Sequence, residues 1–593
     1  MSKLSRREFV YMMAMLGAAP VFANSHTRMT DTSNAKLEDY YKLKPFGNAR
    51  FLHMTDSHAQ LLPVYFREPS VNIGLHGNFG KPPHIVGEKL LDYYGIKGNK
   101  RLEYAYSCVD FEKHAQAMGR TGGFAQIKTV VDFLTKSFGE DKTLLLDGGD
   151  TWQGSATALY TRGKDMVGAM NLLGVDVAVG HWEFTYKAEE VLENVKLLDA
   201  EFLAQNVKVK EDALFEETEV AMQAYDEDTG HAFKPYTIKK MGNARVAVIG
   251  QAFPYTTIAN PQRFIPDWTF GINDEGMQEI VDEVRETEKP DAVIVLSHNG
   301  YDTDKKMAEV VTGIDFIMGG HTHDGVPEAY PVKNAEGTTY VCNAGSNGKF
   351  LNVLDLDIQN GKIKDFKFTL LPIFSDLIPE DPAMKKYIED VRAPFKKELT
   401  REIATTDVTL FRRGNFNGSW DQIICDALME VKDAEISLSP GFRWGTSVVP
   451  GQAITFDDLM TQTAMTYPET YARDIKGSDI KLILEDVADN LFNEDPFYQQ
   501  GGDMVRTGGI SYKINPKGKM GERITDIVLT RTGQKIDASK SYKVAGWSTV
   551  GSKSPGEPVW ETVENYLKNV KHISKLNVDT PDIVGIKGNP GIV

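Results

Sequence analysis

At 593 residues the chain is too long for one hydrophobic core, so two large domains are expected. Its 41% hydrophobic and 25% charged content is ordinary for a soluble globular protein, and a formal charge of -17 argues against nucleic acid or an anionic membrane as the main partner. Cys108, Cys342 and Cys425 form no CxxC zinc pattern and no disulfide framework, which leaves one disulfide or three unpaired thiols.

At the N-terminus, Ser5-Arg6-Arg7-Glu8-Phe9 leads into an apolar run from Val10 to Ala19, and Val21-Phe22-Ala23 supplies small residues for a signal peptidase. The run is too short for a permanent membrane helix. Basic start, apolar middle and small-residue end read as a signal peptide over 1–23, and the paired arginines resemble the twin-arginine export signal. A periplasmic, soluble mature protein is the expectation.

The first predicted strand, Ala49 to Met54, ends in Thr55-Asp56-Ser57-His58. A long irregular segment follows, from about Leu61 to Met118, of the kind that serves as a functional loop or insertion. A helix from Gly123 to about Phe138 leads to the strand Thr143 to Leu146, which ends in Asp147-Gly148-Gly149-Asp150. The same grammar then repeats. Helix Asp165 to Leu173 precedes strand Val175 to Val179 and Gly180-His181-Trp182-Glu183; strand Arg245 to Ile249 ends in Gly250-Gln251. Helix Glu275 to Glu288 precedes strand Ala292 to Leu296 and Ser297-His298-Asn299; strand Phe316 to Met318 ends in Gly319-Gly320-His321-Thr322-His323. Apolar β-branched runs alternating with amphipathic helices predict an α/β sheet covered on both faces, with ligands gathered beyond the carboxyl ends of the strands. A helical connector is predicted from about Asp381 to Glu398, and the remainder, from about Arg401, has strands and helices enough for its own core.

Seven side chains recur at those strand ends: Asp56, His58, Asp150, His181, His298, His321 and His323. Carboxylates with imidazoles suit manganese, iron or zinc rather than magnesium or calcium. Seven ligands exceed the needs of one ion, so two ions sharing a carboxylate is the economical reading, with Asp150 as the bridge because two glycines precede it. His26, His53, His76, His84, His114, His231 and His572 read as non-ligands.

Asp56-Ser57-His58, Gly149-Asp150, Gly180-His181-Trp182-Glu183, Ser297-His298 and Gly320-His321-Thr322-His323 resemble, in order, the motifs of the calcineurin-like metallophosphoesterases. Gly441-Phe442-Arg443 and Ile454-Thr455-Phe456 resemble the C-terminal substrate domain of bacterial 5′-nucleotidases. The resemblance implies an N-terminal four-layer α-β-β-α sandwich over 45–375, a helical connector over 376–400 and an α/β substrate-binding domain over 401–593. It also implies one ion held by Asp56, His58, Asp150 and His323, and a second held by Asp150, His181, His298 and His321.

The chain departs from the nucleotidase pattern at one motif. Where that family reads Gly-Asn-His-Glu-Phe-Asp, this chain has Gly180-His181-Trp182-Glu183-Phe184-Thr185. Trp182 stands at the position of the catalytic histidine and Thr185 at that of its aspartate. An indole cannot exchange a proton near neutral pH, so an alkoxide leaving group would lack its donor. Ions retained and dyad lost suit a sulfur leaving group. Together with the arginine pair and Asn78-Phe79-Gly80-Lys81-Pro82-Pro83, this resembles the sulfur-oxidising thiosulfohydrolase (SoxB) family. That resemblance implies two Mn2+ ions and hydrolysis of a cysteine S-thiosulfonate on a SoxYZ-type carrier protein, with release of sulfate. Trp182, Arg120 and Arg443 are then candidates for the chemistry, and Arg120, Arg443, Trp444 and Tyr467 for substrate contact. The competing readings are a periplasmic 5′-nucleotidase or cyclic-nucleotide phosphodiesterase, and a non-catalytic metal-stabilised scaffold.

Overall fold

The computed structural model describes residues 41–551 and 553–593, so the expected export signal over 1–23 lies outside the described residues. The apolar runs form two six-stranded sheets. In the first, Ala49–Met54, Thr143–Asp147, Val177–Ala178 and Glu201–Phe202 run parallel in that order, and the antiparallel pair Phe350–Gln359 and Lys362–Pro372 extends the edge beside Ala49–Met54. In the second, Ala244–Gln251, Ala292–Ser297, Phe316–Gly319 and Thr338–Asn343 run parallel, flanked by antiparallel Tyr236–Met241 and Tyr330–Lys333.

The period-2 alternation of strand side chains sorts the second sheet into two faces. Val246, Val248, Ile294, Leu296, Phe316 and Met318 join the core shared with the first sheet. Ala247, Ile249, Val293, Val295 and Ile317 pack instead on Met277, Ile280 and Val281 of helix Asp274–Glu283 and on Met307 and Ala308 of helix Tyr301–Val310. Helices Phe124–Phe138, Lys164–Leu173 and Pro382–Arg392 cover the first sheet, contributing Val130, Leu134, Met166, Met170 and Met384 to its core. The architecture is an α-β-β-α sandwich in which the parallel strands of both sheets bring their carboxyl ends to one rim.

Beyond residue 401 the chain builds smaller mixed sheets, among them Thr470–Lys476, Ser541–Trp547, Ile436–Ser439 and Arg506–Gly508 in that order. Helix Ser419–Lys432 buries Trp420, Ile423, Ile424, Ala427 and Leu428 in their core. Trp182 and Ala156 of the sandwich belong to that same core, and Ile73 and Leu75 join a second C-terminal one. The last residues lie along the segment that begins at Ser70: the Val593 amide donates to the Ser70 carbonyl at 3.1 Å, Asn72 to Gly591 at 2.8 Å, and Asn589 Nδ2 to Gly74 at 2.8 Å.

Several predicted elements change on folding. The stretch Leu61 to Met118 is not wholly irregular: it holds the helices Gly87–Tyr94, Lys100–Tyr106 and Phe111–Met118. Each has only two turns, too short for a 3.6-residue period to stand out. The strand expected over Val175 to Val179 pairs only at Val177–Ala178. The connector breaks into Pro382–Arg392, a 3-10 turn at Ala393–Phe395 and Lys396–Leu399, with Pro394 at the break. All three cysteines are free. Among the described residues no helix is long and apolar enough to cross a membrane.

One buried ion pair ties the strand that delivers Asp56 and His58 to its surroundings. Fully buried Arg50 donates Nε and Nη2 to Asp355 at 2.6 and 2.7 Å, and Nη1 to the Leu134 carbonyl at 3.1 Å. Arg50→Ala would leave Asp355 buried and unpaired, and is expected to cost about 3–5 kcal/mol in denaturant unfolding. A loss below about 1 kcal/mol would mean that water reaches Asp355.

Candidate metal centre

The seven predicted ligands converge at the common rim. Their ligating atoms fall into two groups, Asp150, His181, His298 and His321 and Asp56, His58, Asp150 and His323, each within 4.8 Å of one another. Asp150 belongs to both. Its carboxylate lies 3.5 Å from His58 Nε2, 3.2 Å from His181 Nδ1 and 3.1 Å from His298 Nε2. Asp56 lies 3.3 Å from His323 Nε2 and 3.6 Å from His298 Nε2.

The turns that deliver these groups are strained. Asp56, His58, Asp150, His321 and His323 all have positive φ, which non-glycine residues adopt at a cost recovered at functional sites. Gly149 makes Asp150's position attainable: at φ +87 it passes so near Val179 that a Cβ would lie 2.9 Å from that carbonyl and 3.2 Å from His298 Nδ1. Glu183 locks the arrangement. Its buried carboxylate accepts from the amides of Thr151 at 2.6 Å, His181 at 2.7 Å, and Asp150 and Trp152 at 3.2 Å each. One carboxylate thus fixes the turns carrying Asp150 and His181.

Hydrogen bonds set the imidazole tautomers. His298 Nδ1 donates to the Gly148 carbonyl and His58 Nδ1 to that of Gln153, so each presents a bare Nε2 to the centre. His58 Nε2 and His323 Nε2 face each other at 3.0 Å. His181 Nε2 and both ring nitrogens of His321 are buried with no hydrogen-bond partner. Burial pushes the Asp56 carboxyl up to about 6. On Asp150 burial acts the same way but is outweighed by His181, His298 and His58, which hold it well below the usual carboxylate range. Burial drives His321 and His323 well below 6.5, so both rings are neutral and free to act as ligands. Two carboxylates in want of positive charge, ringed by unpartnered imidazole nitrogens, fit a pair of divalent cations.

The centre opens into a cleft of about 290 Å³ between the sandwich and the C-terminal sheets. Trp182 lines it, 5% exposed, its ring edge-on to Phe442 at 5.6 Å and Trp444 at 5.2 Å, its amide bonded to Asp150 at 2.8 Å. Trp444, stacked on Phe442 at 4.0 Å, Tyr467 and Arg443 line it too. Arg443 donates Nη2 to the Gly502 carbonyl at 2.7 Å and leaves Nε and Nη1 without hydrogen-bond partners. Arg120 is a correction: its exposed side chain lies over the Tyr65 ring at 5.2 Å and lines no part of the cleft. The Gly122-Gly123 turn beside it serves close packing against Asn347 and Pro63 instead.

Three contributors escaped the sequence reading. Phe253 packs on His321 and His181 at ring distances of 4.1 and 4.0 Å; its only signal was its place just after a strand end. Glu183 stood in a recognised motif without an assigned role. Gly501, from the far side of the cleft, passes so close to His321 that a Cβ would lie 1.8 Å from Nε2.

Residues 401–561 match the family model for the 5′-nucleotidase C-terminal domain. The solved sulfate thiohydrolase SoxB of Thermus thermophilus, in complex with glycerol, superposes with a TM-score of 0.84 and 34% identity over 92% of this chain and 98% of that one. A 5′-nucleotidase precursor, also from Thermus thermophilus, shares the fold at a TM-score of 0.71 and 20% identity, covering 91% and 99% of the two chains. By sequence, the chain is 24% identical to protein UshA of Yersinia enterocolitica (75% of this chain, 84% of the relative) and 26% identical to human 5′-nucleotidase (71% and 75%).

Glu183→Ala would strand four backbone amides at the root of both groups. It should weaken metal retention by about 10- to 100-fold, read as metal content after dialysis; a folded variant that keeps its full complement would remove Glu183 from this role. Gly501→Ala should displace either the His321 ring or its own loop, and crystallography of the variant would show neither moved if the close approach is unimportant.

Proposed function

This chain belongs to the SoxB family, within the 5′-nucleotidase and metallophosphoesterase fold, and from that premise we propose that it hydrolyses a cysteine S-thiosulfonate on a SoxYZ-type carrier protein and releases sulfate. The observation that carries the reading is the lack, among the described residues lining the cleft, of any group suited to protonate a leaving alkoxide. Trp182 occupies the place of the nucleotidases' general acid, and Thr185 Oγ1 is engaged with Thr466 Oγ1 at 2.6 Å. The lining imidazoles and Asp150 belong to the metal groups. Tyr255 and Tyr467 donate their hydroxyls to the carbonyls of Phe497 and Ala259, and burial pushes both phenols up. Asp503 is held below the usual carboxylate range, its burial outweighed by Arg443 and Arg506.

A thiolate-type leaving group needs no such donor. In the proposed reaction water oxygen bonds to the terminal sulfone sulfur and the adjacent S–S bond breaks. The electron pair stays on the carrier as a persulfide, sulfate is formed, and the protons pass to solvent. Divalent ions in the two groups would supply Lewis acidity toward the sulfonate oxygens and acidify the attacking water. Arg443, with donors to spare, is assigned to the sulfonate. Trp182, Trp444 and Tyr467 are assigned to the carrier segment that enters the cleft, where a mainly apolar wall suits an uncharged peptide arm. We infer manganese as the metal, residues 45–375 as the metal-bearing unit and 401–593 as the carrier-facing one, and twin-arginine export to the periplasm, all from the sequence resemblance.

Product analysis tests the reading. Manganese-loaded protein given a peptide with a C-terminal cysteine S-thiosulfonate should release sulfate, with negligible phosphate from AMP. Brisk phosphate and no sulfate would return the chain to the nucleotidases. A second test restores the missing dyad: Trp182→His with Thr185→Asp should raise AMP hydrolysis by about two orders of magnitude. No gain in a metal-replete variant would mean that the lost proton donor is not what bars phosphoester chemistry.

A further inference from the structure

Two cavities lie on either side of His321, one of the seven ligands, and they differ in chemistry. The cleft is walled mainly by apolar groups, whereas the second cavity, about 440 Å³, is mostly polar. Its wall comes from segment 72–84, from helix Tyr301–Val310 and strand Tyr330–Lys333 of the sandwich, and from the loop around 490–503. His321, Arg443, Asn490, Gly501 and Asp503 line both cavities, so single residues span the partition. Among them Gly501 packs directly against the His321 ring.

Charge in the polar cavity is close to balanced, six Lys or Arg against five Asp or Glu, in a protein of net charge -17. Three of those acids already have cations: Asp302 lies 2.9 Å from His84 and 3.1 Å from Lys305, Asp324 3.3 Å from Arg413, and Asp503 3.5 Å from Arg443. Glu494 lies 3.9 Å from His76, and Glu309 has no ion pair among the described residues. Lys81 and Lys333, both exposed at the wall, have no ion pair among the described residues. At the inner end the buried Arg413 Nε and Arg443 Nε and Nη1 have no hydrogen-bond partner.

We propose that this polar cavity binds the small tetrahedral dianion formed at the metal centre and is its outlet, while the apolar cleft is reserved for the carrier. The inference rests on the thiosulfohydrolase reading for the identity of the anion, sulfate. A carrier arm in the cleft blocks departure on that side, and a strongly hydrated dianion moves along an apolar wall only at a large desolvation cost. The cavity on the other side of His321 offers polar groups throughout, Arg413 and Arg443 with buried side-chain nitrogens that make no hydrogen bond among the described residues, and two unpaired lysines, Lys81 and Lys333, where it is exposed. Near-balance of charge suits passage, because a site that must also release its ion cannot hold it tightly.

The experiment measures equilibrium binding of radiolabelled inorganic sulfate to the metal-loaded full chain and to Lys81→Glu/Lys333→Glu, whose sites are exposed and outside the centre. Sulfate inhibition of carrier turnover is measured in parallel. The expected result is saturable binding weakened about tenfold or more by the double reversal, with sulfate inhibition non-competitive against carrier and the carrier KM unchanged. Equal binding by both proteins, or inhibition purely competitive with carrier, overturns the outlet. Binding that depends on the two lysines, in a protein that releases no sulfate from the carrier, keeps the oxyanion site and sinks the thiosulfohydrolase reading instead. The same titration with inorganic phosphate separates the two sources: a marked preference for phosphate overturns the assignment to sulfate.

Discussion

The centre depends on the confinement of one carboxylate. Asp150 sits among three imidazoles, at 3.5, 3.2 and 3.1 Å, with 1% of its surface exposed. A negative charge so far from water is tenable only if compensation is close and fixed. The surrounding structure supplies both conditions. Parallel strands of two sheets end at a common rim, which brings the compensating groups from distant parts of the sequence. Glu183 ties down the turn that carries Asp150, and carbonyl acceptors orient His58 and His298 so that bare nitrogens point inward.

Much of this was legible in the sequence because the ligands are local signals. An apolar β-branched run ending in a short polar turn with glycine marks both the strand and the place where its ligand emerges, as at Leu144-Leu145-Leu146-Asp147-Gly148-Gly149-Asp150. The Trp182 and Thr185 departures were equally plain, being substitutions within such a turn. What stayed hidden depends on tertiary contact. Arg120 stood among the candidates through the resemblance, but where its side chain lies is set by tertiary contact, over the Tyr65 ring and away from the cleft. Phe253 and Gly501 carry no local mark at all, since each matters only through the His321 ring that it meets across space. The short helices between residues 87 and 118 fell below the length at which periodicity speaks.

The border between the two parts of the chain is also where function concentrates. Trp182 belongs by sequence to the sandwich and by packing to the C-terminal core. Gln153, next to the turn that carries Asp150, donates to the Ala464 carbonyl at 2.7 Å, and Gly501 reaches back to His321. A change in how the two parts meet would therefore be felt at the ligands themselves, through groups that touch them. Aromatic packing makes such a change costly, because Trp182, Phe442 and Trp444 would all be uncovered together.

The strand-like seam between Ser70 and Val593 bears on how the molecule comes into being. Lys89 and Ile592, 503 positions apart along the chain, are joined there by a hydrogen bond of 2.8 Å. Segment 72–84, which walls the polar cavity, is synthesised early, but its wall is completed by later residues: the Ile73 amide donates to Asn415 at 2.7 Å, residues 490–503 close the far side, and Asn589 Nδ2 donates to the Gly74 carbonyl at 2.8 Å. Closing so long a loop is entropically unfavourable until the intervening structure has formed and brought the ends together. The polar cavity is therefore a late product of folding, assembled after the metal-binding rim could already exist, and a nascent chain would possess the ligands before it possessed the second chamber.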